Sequence, residues 1–350
     1  MADPDSPDAP RADIRRRRNP DDPLVQPNIA RLLAALRGER LDRLPNFELI
    51  LDPRMVRTVL GWPEDKGVMS FSLDAPDALE LARRTAQDAI VVNLAWAAGW
   101  NGALVKPADL EQVQPPDLAC YRGLFERAVA ATRGTRTGIV LHTVCPLFHS
   151  YYAMGPIPIQ SFMENLYDQP AFVNRLLDLH LEAQIRILEA VQDLPCAIVY
   201  TADDLASNAG LLVPPQVIRD LWEPRFAELM RVIRRFRAPV MFHCCGRLDD
   251  VLPILDRFGI DAVHPIQPAC NDIYAIRRRW GRRFCLVGNM SIEGALAFGT
   301  PDEVRRDTLE HMERLGRNGG YVVASSHSIV DAIPVENYFA MIETAIDHPV

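Results

Sequence analysis

The amino-acid sequence predicts an α/β fold, a (β/α)8 TIM barrel with an N-terminal helical extension. Eight short apolar runs alternate with longer amphipathic stretches from residue 45 onward. Each run is nearly continuous in apolar residues, which is typical of parallel strands that are covered on both faces. No GxGxxG or GxxxxGK(S/T) motif follows a run, so the usual dinucleotide and P-loop signatures are missing. An open sheet with extra strands is the alternative architecture.

The first 25 residues differ in composition from the rest of the chain. They are rich in Pro, Asp and Arg, and they contain no apolar stretch that could form the core of a signal peptide. We expect residues 1–25 to form a disordered, solvated tail and residues 26–350 to form a single barrel domain.

Composition also limits the partners and the compartment. The formal net charge of −8 and the pI near 5.5 argue against nucleic acid or an anionic membrane as the main partner. No apolar run reaches the roughly 18 residues that a membrane span requires. Seven cysteines in a chain without a secretion signal indicate reduced thiols, so we expect a cytoplasmic protein without disulfides.

The predicted strands are short, apolar and bounded by polar or turn-forming residues. In chain order they cover residues 46–51, 89–96, 138–145, 196–202, 239–244, 260–265, 283–289 and 320–325. Helical periodicity before and between them covers residues 18–40, 178–193, 214–236 and 300–316. Pro224 is expected to kink the third of these helices. Thr300, followed by Glu303, forms a capping-box pattern at the start of the fourth.

Histidine and cysteine are concentrated where the predicted strands end, and a barrel of this kind carries its active site there. Five of the eight histidines and four of the seven cysteines lie at these ends, namely His142, His149, His243, His264, His327, Cys145, Cys244, Cys245 and Cys270. The same ends carry polar and aromatic residues that could contact a substrate, namely Glu48, Trp96, Trp100, Asp203, Asp204 and Asn289.

A metal site is predicted from three of these residues. His243 and Cys245 are two positions apart on an extended strand end, so both side chains point to the same side and can reach one ion. His327 arrives from the last strand. A set of two histidines and one cysteine suits Zn²⁺ and leaves a fourth position open for a substrate atom. The alternative is that these residues only fill the core.

Four segments carry a resemblance to a known family. They are "DDLASNAGLLVPP", "HCCGRLDDVLPIL", "GNMSIEGALAFGTPDEV" and "GGYVVASSHSIVDAIPVENYFAMIE". In order and spacing the chain resembles the uroporphyrinogen decarboxylase superfamily from about residue 29 to 347. The resemblance implies a (β/α)8 barrel and one of two activities, cofactor-free decarboxylation in haem synthesis or zinc-dependent methyl transfer between corrinoid proteins and thiols.

The decarboxylase branch implies an arginine-rich first strand that holds substrate carboxylates. Here the matching stretch "LPNFELILDP" carries Glu48 and Asp52 instead, which would repel a polycarboxylate. Tyr151 matches the active-site tyrosine of that branch, and His327 matches its late histidine. That branch also implies an aspartate at the end of the second strand, where this sequence has "NLAWAAGW". Two anchors are therefore kept and two are lost.

The methyltransferase branch implies a His-x-Cys pair, often a glutamate after the next strand, and a late cysteine. His243 and Cys245 match the pair, the glutamate position falls on Gln267, and the late cysteine falls on His327. The sequence does not decide which other residue could join the metal, so the alternative ligands are Cys244, Gln267 and Cys270.

The resemblance is closer to the methyltransferase-like branch, and it leads to the hypothesis of a zinc-dependent, corrinoid-linked methyltransferase. In this hypothesis Asp203, Glu48 and Tyr151 are catalytic. The substrate contacts are Trp96, Phe148, Asp204 and Asn289. The corrinoid would come on a separate protein, because no Asp-x-His-x-x-Gly motif is present. The oligomeric state stays open, although related barrels often pair as homodimers.

Two alternatives remain. One is a metal-free lyase that decarboxylates a porphyrinogen or a smaller carboxylate, with Tyr151 and His327 handling protons. The other is a tetrapyrrole or corrinoid binder that has kept the barrel without its chemistry.

Overall fold

The computed structural model of the chain describes residues 12–99, 102–317 and 319–349. The first eleven residues of the predicted tail and Trp100, which the sequence places at a strand end, lie outside the described residues.

A parallel sheet of seven strands organises the fold. The strands are β1 Ala89–Asn93, β2 Gly138–Val144, β3 Ile198–Ala202, β6 Val240–His243, β7 Ala262–His264, β8 Cys285–Val287 and β9 Tyr321–Val322. Their order in the sheet is β1-β2-β3-β6-β7-β8-β9, and every neighbouring pair is parallel. A small antiparallel pair, β4 Ala206–Ser207 and β5 Gly210–Leu211, follows β3. Seven of the eight predicted strands are thereby confirmed.

The predicted strand at 46–51 is not a regular strand. It makes only isolated bridges, such as that between Asn46 and Val323, although it lies between the two outer strands of the sheet. The reason is that side chains, and not backbone carbonyls of a neighbouring strand, accept hydrogen bonds from N–H groups of this segment. The N–H of Glu48, for example, donates to Oε1 of Gln87 at 3.1 Å rather than to a carbonyl of the chain before β1. The sheet therefore has seven regular strands where eight were predicted.

Helices connect the strands and cover the outside of the sheet. They are α1 Ile14–Arg17, α2 Ile29–Arg37, α3 Pro53–Leu60, α4 Ala75–Arg84, α5 Leu118–Thr132, α6 Pro146–Ala153, α7 Pro158–Asp168, α8 Pro170–Val191, α9 Pro215–Val217, α10 Glu223–Ile233, α11 Leu252–Arg257, α12 Ile273–Trp280, α13 Ala295–Phe298, α14 Pro301–His311 and α15 Val335–Asp347. None of the described helices combines the length and the apolar composition that a membrane crossing requires.

Two local predictions about helices are confirmed. α14 begins with a capping box, because Oγ1 of Thr300 accepts from the N–H of Glu303 and the Glu303 carboxylate accepts from the N–H of Thr300. Pro224 interrupts its helix as expected. A π-helical turn at Ile218–Trp222 precedes it, since proline has no N–H to continue the ladder.

Residues 12–25, which the sequence assigns to the disordered tail, are folded. Ile14 is fully buried, and Asp13 caps α1 by accepting from the N–H of Arg15. Arg17 pairs with Glu343 of α15 at 3.1 Å, which fastens this segment to the other end of the chain. Average composition over 25 residues conceals the few apolar side chains that anchor the segment.

A buried ionic cluster closes the end of the sheet opposite to the C-terminal strand ends. Asp88, which directly precedes β1, accepts from Nη1 of Arg31 at 2.6 Å and lies 3.5 Å from Nη2 of Arg43. Both arginine side chains and the aspartate are almost completely buried. The cluster links α2 and Arg43, which precedes the irregular 46–51 segment, to the start of β1.

Candidate metal centre

The three predicted metal ligands come together at the C-terminal end of the sheet. β6 ends at His243, Cys245 follows it on the same side of the chain, and His327 lies beyond β9. One ligand atom from each residue lies within 4.8 Å of the other two, and Nε2 of His243 is 3.4 Å from Sγ of Cys245. Among the described residues this is the one group of three such side chains.

One pair in the cluster has the spacing of two ligands on a tetrahedral metal ion, and the third residue lies within 4.8 Å of both. Zn–N and Zn–S bond lengths place the ligand atoms of such a site about 3.5 Å apart. The His243–Cys245 pair already has this spacing. Nδ1 of His327 is 2.9 Å from Oγ of Ser328, so Nε2 is the nitrogen that His327 can offer to an ion.

Burial sets the charge state of the ligands. It lowers the pKa of His243 to about 4 and lowers that of His327, so both imidazoles are neutral at neutral pH and carry a lone pair for a metal. It raises the pKa of the Cys245 thiol, and the neighbouring Asp204 adds to this rise. A divalent cation reverses the effect on a thiol, because it stabilises the thiolate. The donor set therefore fits zinc.

Asp204 is the carboxylate beside the cluster. Its Oδ1 accepts from the N–H of Cys245 at 2.9 Å and lies 3.6 Å from Nε2 of His243. The side chain stays partly accessible, with 21% of its area exposed. Of the acids predicted from the sequence, this one is placed to act on a molecule bound at the cluster.

Asp203, predicted to be catalytic, points away from the cluster. Its carboxylate accepts from the N–H groups of Leu147 and Phe148, at 3.2 and 2.5 Å, and from Nε1 of Trp222 at 2.7 Å. The first two donors belong to the first turn of α6, so Asp203 acts as a cap for that helix. Burial raises its pKa to about 7 despite these hydrogen bonds.

Glu48, also predicted to be catalytic, holds the segment that carries His327. Its two carboxyl oxygens accept from the N–H and the Oγ of Ser325, each at 2.7 Å. The side chain is buried, and burial raises its pKa to about 8. Glu48 thus fixes Ser325, which lies two residues before His327, the third predicted ligand.

Aromatic side chains at the C-terminal end of the sheet come from α6 and from the loop after β1. The ring of Phe148 packs against Tyr152 with 4.8 Å between centroids. The carbonyl of Trp96 contacts Nδ1 of His149 at 2.8 Å, which ties the loop after β1 to α6. Tyr151 is buried and packs against α7, and its hydroxyl finds no hydrogen-bond partner among the described residues.

The alternative ligands lie close to the cluster but stabilise turns. Oε1 of Gln267 accepts from the N–H of Gly246 at 2.6 Å. Sγ of Cys244 is buried and accepts from the N–H of Leu205 at 3.4 Å. Sγ of Cys270 lies 3.8 Å from the carbonyl of Gln267.

Asn289, predicted to contact the substrate, uses its amide within the protein. Nδ2 donates to the carbonyl of Ile266 at 2.5 Å, and Oδ1 contacts Nε2 of His311 at 2.9 Å. Its backbone has φ of +80°, a conformation that asparagine tolerates better than most residues.

Sequence reasoning missed Tyr200, which lies behind the cluster on β3. Its hydroxyl is 2.9 Å from Nδ1 of His243 and 2.7 Å from Nδ1 of His264. Its position in the sequence could have indicated this role, because a tyrosine in the middle of a fully buried strand needs a hydrogen-bond partner for its hydroxyl.

Comparison with known proteins gives matches of two kinds. A uroporphyrinogen decarboxylase of Hydrogenovibrio crunogenus is 23% identical over 323 residues, which are 89% of this chain and 86% of that protein. A methylcobamide:CoM methyltransferase of Methanosarcina barkeri is 24% identical over 186 residues, which are 53% of this chain and 52% of that protein.

The fold is shared with a solved structure. A methyltransferase from Methanosarcina mazei aligns with a TM-score of 0.70 and 21% identity, covering 92% of this chain and 99% of that one. Residues 101–348 also match the family model described as uroporphyrinogen decarboxylase (URO-D), and this span is more than half of the chain. With the four sequence segments that carry the resemblance, the match shows that the chain belongs to the uroporphyrinogen decarboxylase family.

Proposed function

We propose that the chain is a zinc-dependent methyltransferase of the corrinoid-linked type. The observation that carries this proposal is the convergence of His243, Cys245 and His327 on one point at the C-terminal end of the sheet. Relatives of the chain include both decarboxylases and methyltransferases, so the family leaves the reaction open. A cluster of soft and borderline ligands favours the metal-dependent branch.

The roles of the residues follow from their positions. Nε2 of His243, Sγ of Cys245 and His327 would hold the ion and leave one tetrahedral position for an acceptor thiol. Zinc would supply Lewis acidity, which lowers the pKa of a thiol at that position. Oδ1 of Asp204 is the nearby oxygen that would accept the proton of the incoming thiol.

The charge of the ligand set affects the acidity and the nucleophilicity of the acceptor thiol. One cysteinate and two neutral imidazoles leave a divalent site with a net charge of +1, one unit more positive than a set with two cysteinates. An acceptor thiol is then more acidic and its thiolate less nucleophilic. By analogy with the methylcobamide:CoM methyltransferase relative, we propose a small thiol as the acceptor and a methylcorrinoid on a separate protein as the donor.

The site is tested by its zinc content. We expect about one zinc per chain in anaerobically purified wild-type protein, and loss of this zinc in Cys245→Ser and in His327→Ala, since each removes one of three ligands. Cys120→Ser is the matched control, because this cysteine is exposed on α5 and has no place in the site, and the variant should keep its zinc. Mass spectrometry of the metal gives the stoichiometry.

The reaction is tested separately with methylcobalamin and a small thiol. Loss of the methyl–cobalt absorbance in wild type, but not in Cys245→Ser, is the expected result. Absence of zinc from wild-type protein grown with excess metal would overturn the proposal and favour metal-free decarboxylation. Protein that binds zinc but does not demethylate methylcobalamin would support the proposed metal site and contradict the proposed methyltransferase activity.

A further inference from the structure

The side of His243 that faces away from the cluster makes a closed triangle of contacts. Nδ1 of His243, the hydroxyl of Tyr200 and Nδ1 of His264 lie 2.9, 2.7 and 2.9 Å from one another. All three side chains are buried. Nε2 of His264 is buried as well and has no partner among the described residues.

A metal-binding His243 imposes one order of protons on this triangle. A neutral imidazole has one N–H, and Nε2 can bind an ion only if that hydrogen is on Nδ1. Nδ1–H of His243 then donates to Tyr200, and the Tyr200 O–H donates to Nδ1 of His264. The single N–H of His264 must in this order lie on Nε2.

The opposite order suits the metal-free chain. There Nδ1–H of His264 donates to Tyr200, the Tyr200 O–H donates to Nδ1 of His243, and the N–H of His243 lies on Nε2. That N–H faces Sγ of Cys245 at 3.4 Å and Oδ1 of Asp204 at 3.6 Å. In this order Nε2 of His264 carries no hydrogen, so the protein avoids the cost of a buried N–H without an acceptor.

We infer that Tyr200 and His264 are positioning residues that set the tautomer of His243, and that metal loading reverses the tautomers of both histidines. Each ring keeps one N–H and Tyr200 keeps its O–H in both orders, so no net charge changes. A hydrogen bond to the outer nitrogen of a ligating histidine commonly tunes metal affinity 10- to 100-fold. The inference rests on the proposed zinc site.

The test is the tautomer of a residue that does not touch the metal. Nitrogen-15 correlation spectra of histidine-labelled wild-type protein, recorded with and without zinc, report which ring nitrogen of each histidine carries hydrogen. His264 is expected to carry it on Nδ1 without zinc and on Nε2 with zinc, and His243 should change in the opposite sense. His264→Gln assigns the signal.

Zinc affinity gives the second measurement. The double variant Tyr200→Phe/His264→Leu leaves Nδ1–H of His243 without an acceptor, so its zinc affinity should fall about 10- to 100-fold. Tyr274→Phe, which removes the hydroxyl of a tyrosine that packs on His311 and takes no part in the triangle, should bind zinc as wild type does. Zinc binding with an unchanged His264 tautomer, or a double variant with wild-type affinity, overturns the inference alone. Failure of wild-type protein to bind zinc overturns the proposed function together with it.

Discussion

Three carboxylates singled out by the sequence have different roles because of where their oxygens point. Asp203 and Asp204 are adjacent, and successive side chains of an extended segment face opposite sides. Asp203 is turned to α6 and Asp204 to the metal cluster. Glu48 is fully hydrogen-bonded to Ser325. The sequence could place all three near the site, but it could not show which one stays accessible.

The buried Glu48 predicts how the free energy of unfolding depends on pH. Its pKa is about 8 in the folded chain, against an ordinary value of 4.5, so between these values only the folded state holds the proton. The free energy of unfolding should therefore fall as pH rises through this window, by at most about 1.4 kcal/mol per pH unit. Glu48→Gln should remove this contribution. Urea unfolding of the metal-free proteins at several pH values measures the difference, and a difference independent of pH would contradict the prediction.

At the scale of elements, α6 depends on a residue from another element. The helix begins after Cys145, which provides no side-chain cap, and the Asp203 carboxylate accepts the first N–H groups instead. A contact of this kind joins β3 to α6 and cannot be predicted from the capping patterns of a single segment. Thr300, whose capping partner lies three residues away, could be predicted and is confirmed.

Removal of the Asp203 carboxylate should destabilise the fold. Asp203→Ala leaves three donors unsatisfied, of which Nε1 of Trp222 and the N–H of Leu147 are buried, and each buried donor costs about 1–3 kcal/mol. We expect a loss of roughly 3 kcal/mol in the free energy of unfolding. Asp204→Ala, one residue along and partly exposed, should cost less than about 1 kcal/mol in metal-free protein. Denaturant unfolding compares them, and equal losses would show that Asp203 has no special role.

The strands could be predicted where backbone pairs with backbone, and not where side chains intervene. The apolar runs of β1, β2 and β3 identify strands whose ladders are regular. The run at 46–51 has a similar composition, but its backbone bonds to side chains such as Gln87. Composition does not record which partner an N–H will find, so the irregular segment was predicted as a strand.

The cluster of His243, Cys245 and His327 also combines features that can be predicted from sequence spacing with features that depend on strand pairing. The pair His243 and Cys245 follows from a two-residue spacing, and His327 from the expectation that strand ends meet. Tyr200 and His264 face the other side of the His243 ring, and their arrangement depends on the register of β3, β6 and β7. The sequence therefore predicts the three residues that meet, whereas the contacts of Tyr200 and His264 with His243 are visible only in the structure.

At the scale of the whole molecule, a buried charge cluster holds the closed end of the sheet. Asp88 is the anion shared by Arg31 and Arg43. Burial lowers the pKa of Arg43 to about 10, and the charge of Asp88 opposes this change. The guanidinium of Arg43 also donates to the carbonyls of Leu24 and Leu44, so one side chain connects the N-terminal segment to the sheet.

Loss of the shared anion should be costly. Asp88→Ala leaves two buried guanidinium groups without their common partner, and an uncompensated buried charge of this kind costs about 3–5 kcal/mol. Asp42→Ala is the matched control, because Asp42 pairs with Arg31 from a side chain that is 45% exposed, and its loss should cost about 1 kcal/mol or less. Thermal and urea unfolding measure both. A loss below 1 kcal/mol for Asp88→Ala would show that water reaches the cluster.

The position of the 46–51 segment has a consequence for how the protein is made. Glu48 and Ser325 are 277 positions apart, so the early segment meets its partner only after the ribosome has produced nearly the whole chain. Until then the 46–51 segment has no partner on the side that later meets Val323 and Ile329, and an unpaired strand edge favours association with other nascent chains. A chain arrested before β9 would keep both edges open. We therefore expect truncated chains of this protein to accumulate in aggregates or on chaperones, while the completed chain folds as one unit.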